Sequence, residues 1–469
     1  MHAAILLACA ALAAYGAHAQ VERRLGNFRE VFAWKQMTFN INGQTLLRDR
    51  FGSDGLEEDS RQKRQTDEVI FNNHEEEPER HWNQRPNTNT RPTSTTSRPT
   101  SPNDEAGQFF IQYNNVPMGM EKVGNRLFIA LPRRRHGIPT TLNYINLDRE
   151  SNTRSPALSP YPDLRQGRRL TSVYRTRADQ CGRLWMVDTG LMEIPDNPQQ
   201  VQPPAIVVFD LATDTQILRY PFKSSDLPAA NTPTGLASIT VDVINGDCSN
   251  TFAYVPDLTT FGIIVFSLRE RDSWRLQHNY FSFNPTAGNL NIAGHRFQWS
   301  DGIFSITLND PDSAGCRTAY FHPLISTEEF SVNTCVLRNR TASSDSDYYQ
   351  RYSVVGNRGE NSQCTMHGYH SASNVIFFAD IGRNAVSCWK TSNILNPGNV
   401  AVLAQDSTRM SYPSDLHVTE DEVWVMANTL PRFGYSRLDT NQYNFYIYRG
   451  NVNDLITGTV CDGRTPFAG

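Results

Sequence analysis

Between residues 108 and 461 the chain repeats one texture, in which short runs of large apolar or alternating residues are cut by Gly, Pro, Asn and Asp. The runs are RLFIAL (126–131), LTSVY (170–174), RLWMVD (183–188), AIVVFDL (205–211), TFAYV (251–255), GIIVFSL (262–268), GIFSITL (302–308), TAYFHPL (318–324), NVIFFAD (374–380), EVWVMAN (422–428) and FYIYRG (445–450). Val, Ile, Phe, Tyr and Trp bounded by turn formers make strands, and few stretches carry a helical period. RLWMVD with AIVVFDL, TFAYVPD with GIIVFSL, and NVIFFAD with AVSCWK fall as close pairs, which read as hairpins repeated around a ring. That pattern predicts an all-β propeller, a fold whose radial repetition leaves only short, protected edges. The spacing fits six long blades or seven ordinary ones.

The texture changes towards the N-terminus. FREVFAWKQMTFNI (28–41) predicts a strand within an N-terminal segment, residues 20–51. Residues 52–107 include EEEPE (75–79) and NQRPNTNTRPTSTTSRPTSP (83–102), too polar to offset the entropy of ordering, and are expected to be a disordered insertion. Within it, Arg61-Gln62-Lys63-Arg64 reads either as a basic processing site cut after Arg64 or as an uncut charged loop. Residues 3–16, AAILLACAALAAYG, followed by Ala17-His18-Ala19, predict a signal peptide cleaved after Ala19. The run is too short to cross a bilayer, so the product is expected to be secreted, with 462–469 a short tail.

Bulk charge narrows the partners. With 44 basic and 48 acidic residues among 469, a formal charge of -4 calls for neither nucleic acid nor an anionic membrane. In an oxidising compartment, spaced cysteines read first as disulfides. After Cys9 leaves with the signal, seven remain, at 181, 248, 316, 335, 364, 388 and 461, and an odd count leaves at least one thiol free or paired between chains. None forms a CxxC pair.

Candidate chemistry is sparse. There is no G-x-S-x-G elbow, H-E-x-x-H, P-loop or dinucleotide fingerprint. Asp188, Asp210, Asp257 and Asp380 end or follow strands, where capping is the default role. The histidines at 136, 278, 295, 322, 367, 370 and 417 lack acids at a metal-site spacing, and no metal or other cofactor is expected. Arg133-Arg134-Arg135 reads as a solvated or salt-bridged loop before an anion-binding patch, and Trp185, Trp299, Trp389 and Trp424 as core before ligand platform. Asn339-Arg340-Thr341 is a sequon, so Asn339 is expected to carry glycan in a secreted chain.

Ordered motifs carry a resemblance that the physics does not name. They include Asn115-Val116-Pro117-Met118-Gly119, Gly137-Ile138-Pro139-Thr140-Thr141-Leu142, Cys181-Gly182-Arg183-Leu184-Trp185 with Asp188-Thr189-Gly190, and Phe252-Ala253-Tyr254 with Asp257. Phe297-Gln298-Trp299 with Asp301-Gly302, Phe321-His322-Pro323-Leu324, Cys388-Trp389 and Gly458-Thr459-Val460-Cys461 continue the series. The chain resembles the yellow and major royal jelly protein family of insects. The resemblance implies a secreted six-bladed propeller with disulfides, Cys181 joined to Cys248 and Cys388 to Cys461; it leaves Cys316, Cys335 and Cys364 unassigned, and Cys335 with Cys364 is the third pair expected among them. It also implies a monomer that binds a catecholamine or indole-type molecule in its central cavity and is linked to cuticle pigmentation. Asn428 and Leu430 are the ligand contacts by position, Leu430 standing where amine-binding relatives have an aromatic; Pro117, Gly119, Thr141 and Ser414 are further candidates at the mouth. Two alternatives remain open: a dopachrome-converting isomerase, whose base the sequence does not identify, and a structural or storage protein of the cuticle with no small ligand.

Overall fold

The computed structural model describes residues 23–50, 110–229 and 232–463. Six antiparallel sheets follow one another around a central axis, each with its first strand innermost. The inner strands are Gly119–Val123, Val173–Ala178, Thr240–Val243, Ile303–Leu308, Cys364–His370 and Tyr412–Thr419, which define blades one to six. The three hairpins read from the sequence pair as expected, Trp185 facing Val208, Val255 facing Ile264 and Phe377 facing Cys388. The middle strands carry unbroken apolar runs because neighbouring blades cover both their faces: every residue of Arg183–Asp188 and Val375–Asp380 is buried. Outer strands face water, as Thr215–Pro221 does, and lose that character.

Local chemistry explains why the hairpins start and stop where they do. In DQCGRLW, the Asp179 carboxylate accepts from the backbone N–H of Cys181 (2.9 Å) and Arg183 (3.1 Å) and from the Trp185 indole (2.7 Å), closing the turn and orienting the tryptophan. Gly190, in Asp188-Thr189-Gly190, has φ +63°, and a Cβ there would lie 2.0 Å from the Gln202 carbonyl oxygen. Only glycine fits that crossing. At the ends of second strands, Asp188 accepts from Thr171 and Ser172 N–H and pairs with Arg219, Asp257 accepts from Gly235 N–H and pairs with Arg275, and Asp380 pairs with Arg383. These acids tie each blade to its connecting loop. Asp210 accepts from Ala212 and Thr213 in a turn.

Closure of the ring uses both ends of the chain. Phe28–Trp34 pairs antiparallel with Phe445–Asn451, so the first long strand completes the last blade from outside. The strand expected over 28–41 is split: Lys35–Thr38 interrupts it, and Phe39–Ile41 pairs instead with Gln44–Leu46 beside blade one, through Phe39 and Leu158. Arg50 and Phe110 exchange backbone hydrogen bonds of 2.8 Å, so the chain leaves and rejoins the fold at one point. The predicted signal peptide (1–19), the whole 52–107 insertion with Arg64, and residues 464–469 of the tail lie outside the described residues.

The cysteines form three disulfides, Cys181–Cys248, Cys316–Cys335 and Cys388–Cys461. The expected Cys335–Cys364 pair is corrected: Cys335 sits in the short helix Thr334–Arg338 at the rim of blade four, where Cys316 is its neighbour, whereas Cys364 begins the inner strand of blade five. Cys364 is free and buried, and burial pushes its thiol well above the ordinary range. Among the described residues, no helix is long and apolar enough to cross a membrane.

The closure predicts how the chain behaves if it is cut after Arg64. No cysteine lies between residues 20 and 64, so only noncovalent contacts would hold that piece, chiefly the Phe28–Trp34 pairing with the Phe39–Leu158 bridge and the Arg50–Phe110 exchange. We expect both pieces to co-elute in native buffer and to separate in denaturant without reductant. Trp34→Ala should cost about 3–5 kcal/mol, as for other buried aromatics, and shed the piece; early elution of the free piece from the unsubstituted chain contradicts the prediction.

Candidate functional site

The N-terminal ends of the inner strands and the loops preceding them surround a cavity of about 500 Å³ at one mouth of the axis. Its walls are aromatic and apolar, with Tyr174, Trp299, Phe304, Tyr412, Phe433 and Tyr435 among them. The Trp299 indole donates to the Tyr435 hydroxyl at 2.6 Å, and the Tyr435 ring stacks on Phe297 with centroids 4.6 Å apart. These contacts hold a flat aromatic wall.

Charge enters the cavity from two sides. Arg134 and Arg135 line it and make no ion pair among the described residues; Arg134 reaches only the Ile194 carbonyl at 3.4 Å, and Arg135 lies 4.0 Å over the Phe433 ring. Asp301 lines it too, half-buried at the start of blade four, with no hydrogen bond to its carboxylate among the described residues. Burial pushes the Asp301 carboxyl up to about 6, and the Arg134 charge opposes that shift only in part. Burial also raises the Tyr174 and Tyr412 phenols, which therefore stay protonated donors. Thr234 adds a buried hydroxyl without a partner.

The cavity floor is built from committed charges. Arg175, 2% exposed, donates to the carbonyls of Ala237 (3.0 Å) and Ser414, and its Nε lies 3.7 Å from Asp415. Beneath it, Arg177 lies 3.7 Å from Asp415 and 3.4 Å from Glu121, whose carboxylate meets His417 at 2.6 Å. This charged column occupies the axis between blades one, two and six.

The positional candidates separate on inspection. Leu430 lines the cavity. Asn428 is buried behind it, its amide donating to the Pro117 carbonyl at 2.8 Å and accepting from Leu430 N–H at 2.9 Å, so its hydrogen bonds are spent on the wall. Thr141 accepts from Val173 N–H, Ser414 is fully buried, and a Cβ on Gly119 would lie 2.2 Å from the Tyr174 carbonyl oxygen. Pro117, Gly119, Thr141 and Ser414 therefore shape the wall without lining the cavity. Trp185, Trp389 and Trp424 are core, while Trp299 is the one of the four in the lining. The Arg133–Arg135 loop is corrected from a solvated or salt-bridged loop: Arg133 is consumed by the Leu170 and Thr171 carbonyls at 2.6 Å, and the other two face the cavity.

Sequence reasoning missed Asp301 and Arg134, though a signal existed in Trp299-Ser300-Asp301-Gly302, an acid set directly before an inner strand. One group of described residues has metal-ligating atoms within 4.8 Å of one another, His322, Glu329 and His367. It lies apart from the cavity lining. Local spacing could not reveal it, because two blades contribute.

Asp301 makes stability depend on pH. Its folded value is raised, so between about pH 4 and 6 the folded chain keeps a proton that the unfolded chain has lost, and stability falls as pH rises through that window. Asp301→Asn should therefore melt higher than the unsubstituted chain near neutral pH and alike at about pH 4. An equal shift at both pH values, measured by thermal denaturation, would refute this.

Comparison with known proteins agrees with the architecture. The family described as "Major royal jelly protein" matches residues 171–461. The chain is 44% identical over 360 residues to L-dopachrome tautomerase yellow-f of Drosophila melanogaster, covering 75% of this chain and 83% of that protein. It is 41% identical over 366 residues to protein yellow of Drosophila yakuba, covering 76% of this chain and 66% of that protein. Among solved structures, virginiamycin B lyase from Staphylococcus aureus aligns at 13% identity and a TM-score of 0.37 over 72% of this chain and 96% of that one, too distant to bear on function. Six blades, the blade-spanning bridges and identity sustained along most of the chain agree: the protein belongs to the yellow and major royal jelly protein family.

Proposed function

We propose that the protein is an extracellular tautomerase acting on a dopachrome-like substrate of the pigmentation pathway, bound in the central cavity. The observation that carries this reading is Asp301, a carboxylate with its affinity for a proton raised to about 6, facing the same aromatic-walled cavity as the unpaired Arg134. Similarity to L-dopachrome tautomerase yellow-f supports it.

A tautomerisation moves a proton within one molecule, so it needs a base, an acid and a charge stabiliser, and atoms balance without a co-reactant. Asp301 suits the base, because a pKa close to the working pH combines a deprotonated ground state with useful basicity. It takes a proton from carbon and, once protonated, returns one elsewhere on the ring system. Arg134 would stabilise the negative charge that spreads into the ring oxygens when that proton leaves. Flat aromatic walls suit a planar bicyclic ring, and Arg135 suits a carboxylate on it. Arg134 and Arg135 suit an anionic group on the ligand, and Asp301 and Asp196 line the same cavity.

Secretion is part of the same proposal, supported by three disulfides. Asn339 is exposed, and we propose that it carries glycan. A ligand carrier without turnover is the second reading, favoured by the size and apolar lining of the cavity.

The test follows the disappearance of coloured dopachrome against a heat-denatured control. Folded protein should accelerate it, with a rate that rises as pH passes through about 6; Asp301→Asn should lower kcat about 10²–10⁴-fold, the range for a general base. Saturable binding with no turnover would replace the tautomerase by the carrier, and neither binding nor turnover would remove both readings.

A further inference from the structure

The seam between blades four and five holds a cluster that the cavity chemistry does not use. His322 lies on Thr318–Pro323 and Glu329 on Glu328–Asn333, both in blade four; His367 lies on the inner strand of blade five. All three side chains, and Arg358 beside them, have no exposed surface. The Glu329 carboxylate stands between the rings, Oε2 at 3.1 Å from His322 Nδ1 and Oε1 at 3.1 Å from His367 Nε2. We propose that His322 Nδ1, Glu329 and His367 Nε2 bind a divalent transition-metal ion of the zinc class, which pins blade four to blade five.

Three independent features of the geometry support this. First, the donor atoms lie within 4.8 Å of one another, and two imidazoles with one carboxylate are a donor set that zinc takes. Second, Glu329 Oε1 and His367 Nε2 are buried and stand 3.1 Å apart as an ion pair, yet among the described residues neither atom has a partner in hydrogen-bond geometry. Such orphaned atoms are costly unless something joins them. Third, the far side of each group is anchored as ligands are anchored by their outer shell. His322 Nε2 lies 3.1 Å from the Cys364 carbonyl oxygen, to which it can donate, which leaves Nδ1 with its lone pair towards Glu329. His367 Nδ1 lies 2.7 Å from Ser305 Oγ, which fixes the ring's orientation. Arg358 donates to Glu329 Oε2 at 2.6 Å, holding the carboxylate and leaving Oε1 for the ion.

The neutral, metal-free alternative has an internal conflict. With Nε2–H given to the carbonyl, a neutral His322 turns its bare Nδ1 towards a carboxylate oxygen at 3.1 Å, two lone pairs facing each other. An ion that takes the Nδ1 lone pair removes that repulsion, and so does a second proton on the ring. The two cases differ in what the purified protein contains.

Because the donors have no exposed surface, the ion must enter as the blades assemble, so it is supplied during expression. Protein secreted from cells in zinc-supplied medium is passed through a chelator to strip surface ions and analysed by mass spectrometry. About one ion per chain is expected, as for structural sites whose binding is coupled to folding. Protein from cobalt-supplied medium should show the visible absorption of a nitrogen- and oxygen-ligated Co²⁺. His367→Gln should lose both signals. A native-melting, unsubstituted chain that holds no ion after either growth overturns the proposal, whatever the variant does. An ion retained in equal amount by a folded His367→Gln overturns it as well.

Discussion

The pairing of Phe28–Trp34 with Phe445–Asn451 is the constraint on which the molecule depends. Neighbouring blades build apolar cores between them, but the ring is complete only when its last blade meets its first, and the closing strand comes from the opposite end of the chain. The entropy of bringing those ends together is offset only when the strand pairs and its apolar face is covered. Phe28, Phe32, Ala33 and Trp34 are all buried there, and the Trp34 indole donates to the Pro156 carbonyl at 2.8 Å, tying the closing strand to blade one as well. The Cys388–Cys461 bridge anchors the chain just beyond the other partner strand, which limits how far an opened ring can spread.

Once the ring is closed, each seam between blades must hold against the same opening motion, and different seams use different chemistry. Cys181–Cys248 joins blades two and three covalently. Blades three and four are joined by hydrogen bonds from Ser238 and Thr240 hydroxyls to the carbonyls of Phe304 and Ile306, both at 2.6 Å, and by Arg317 with Asp242. Blades four and five share no disulfide, and there the buried His322–Glu329–His367–Arg358 group stands. A buried charge cluster is a weak source of net stability but a strong penalty for misregister, since breaking one partner leaves the rest unsatisfied. Its place in an otherwise uncrosslinked seam fits that role.

Most of the fold was legible because it rests on local rules. Strand composition, hairpin spacing and the Asp-ended second strands are properties of a few adjacent residues, and they led to the right elements. The split at Lys35–Thr38 was not legible, since it follows from Phe39 leaving the closing strand to reach Leu158 in blade one. The Cys335 error has the same origin: Cys316 and Cys335 meet through a blade rim, and no local pattern distinguishes that neighbour from Cys364. The site was less legible still. Leu430 was found by position and does line the cavity, but Asn428 looked like a ligand contact when its amide is occupied by Pro117 and Leu430. What separates a lining residue from a wall residue is the direction of one side chain in a closed ring.

The contrast between Asp301 and the other buried acids bears on function. Asp188, Asp257 and Glu329 are each met by an arginine, as burial of a carboxylate normally requires. Asp380 is fully buried and pushed up to about 6, yet it is held by Arg383 and by the Ser387 hydroxyl at 2.6 Å. Asp301 alone of these is left without a hydrogen bond while it faces open volume, with two unpaired guanidinium groups lining the same cavity. An arrangement optimised for stability alone would bring Arg134 onto Asp301 or replace both by apolar residues. The fold instead keeps the acid and the cations apart across a space large enough for a flat, charged molecule, and bears the stability cost above pH 6. Local cost without local compensation is expected where a group is held ready for a ligand or for a proton that must move, and in this cavity it falls on the half-buried Asp301, while the other lining acid, Asp196, is exposed.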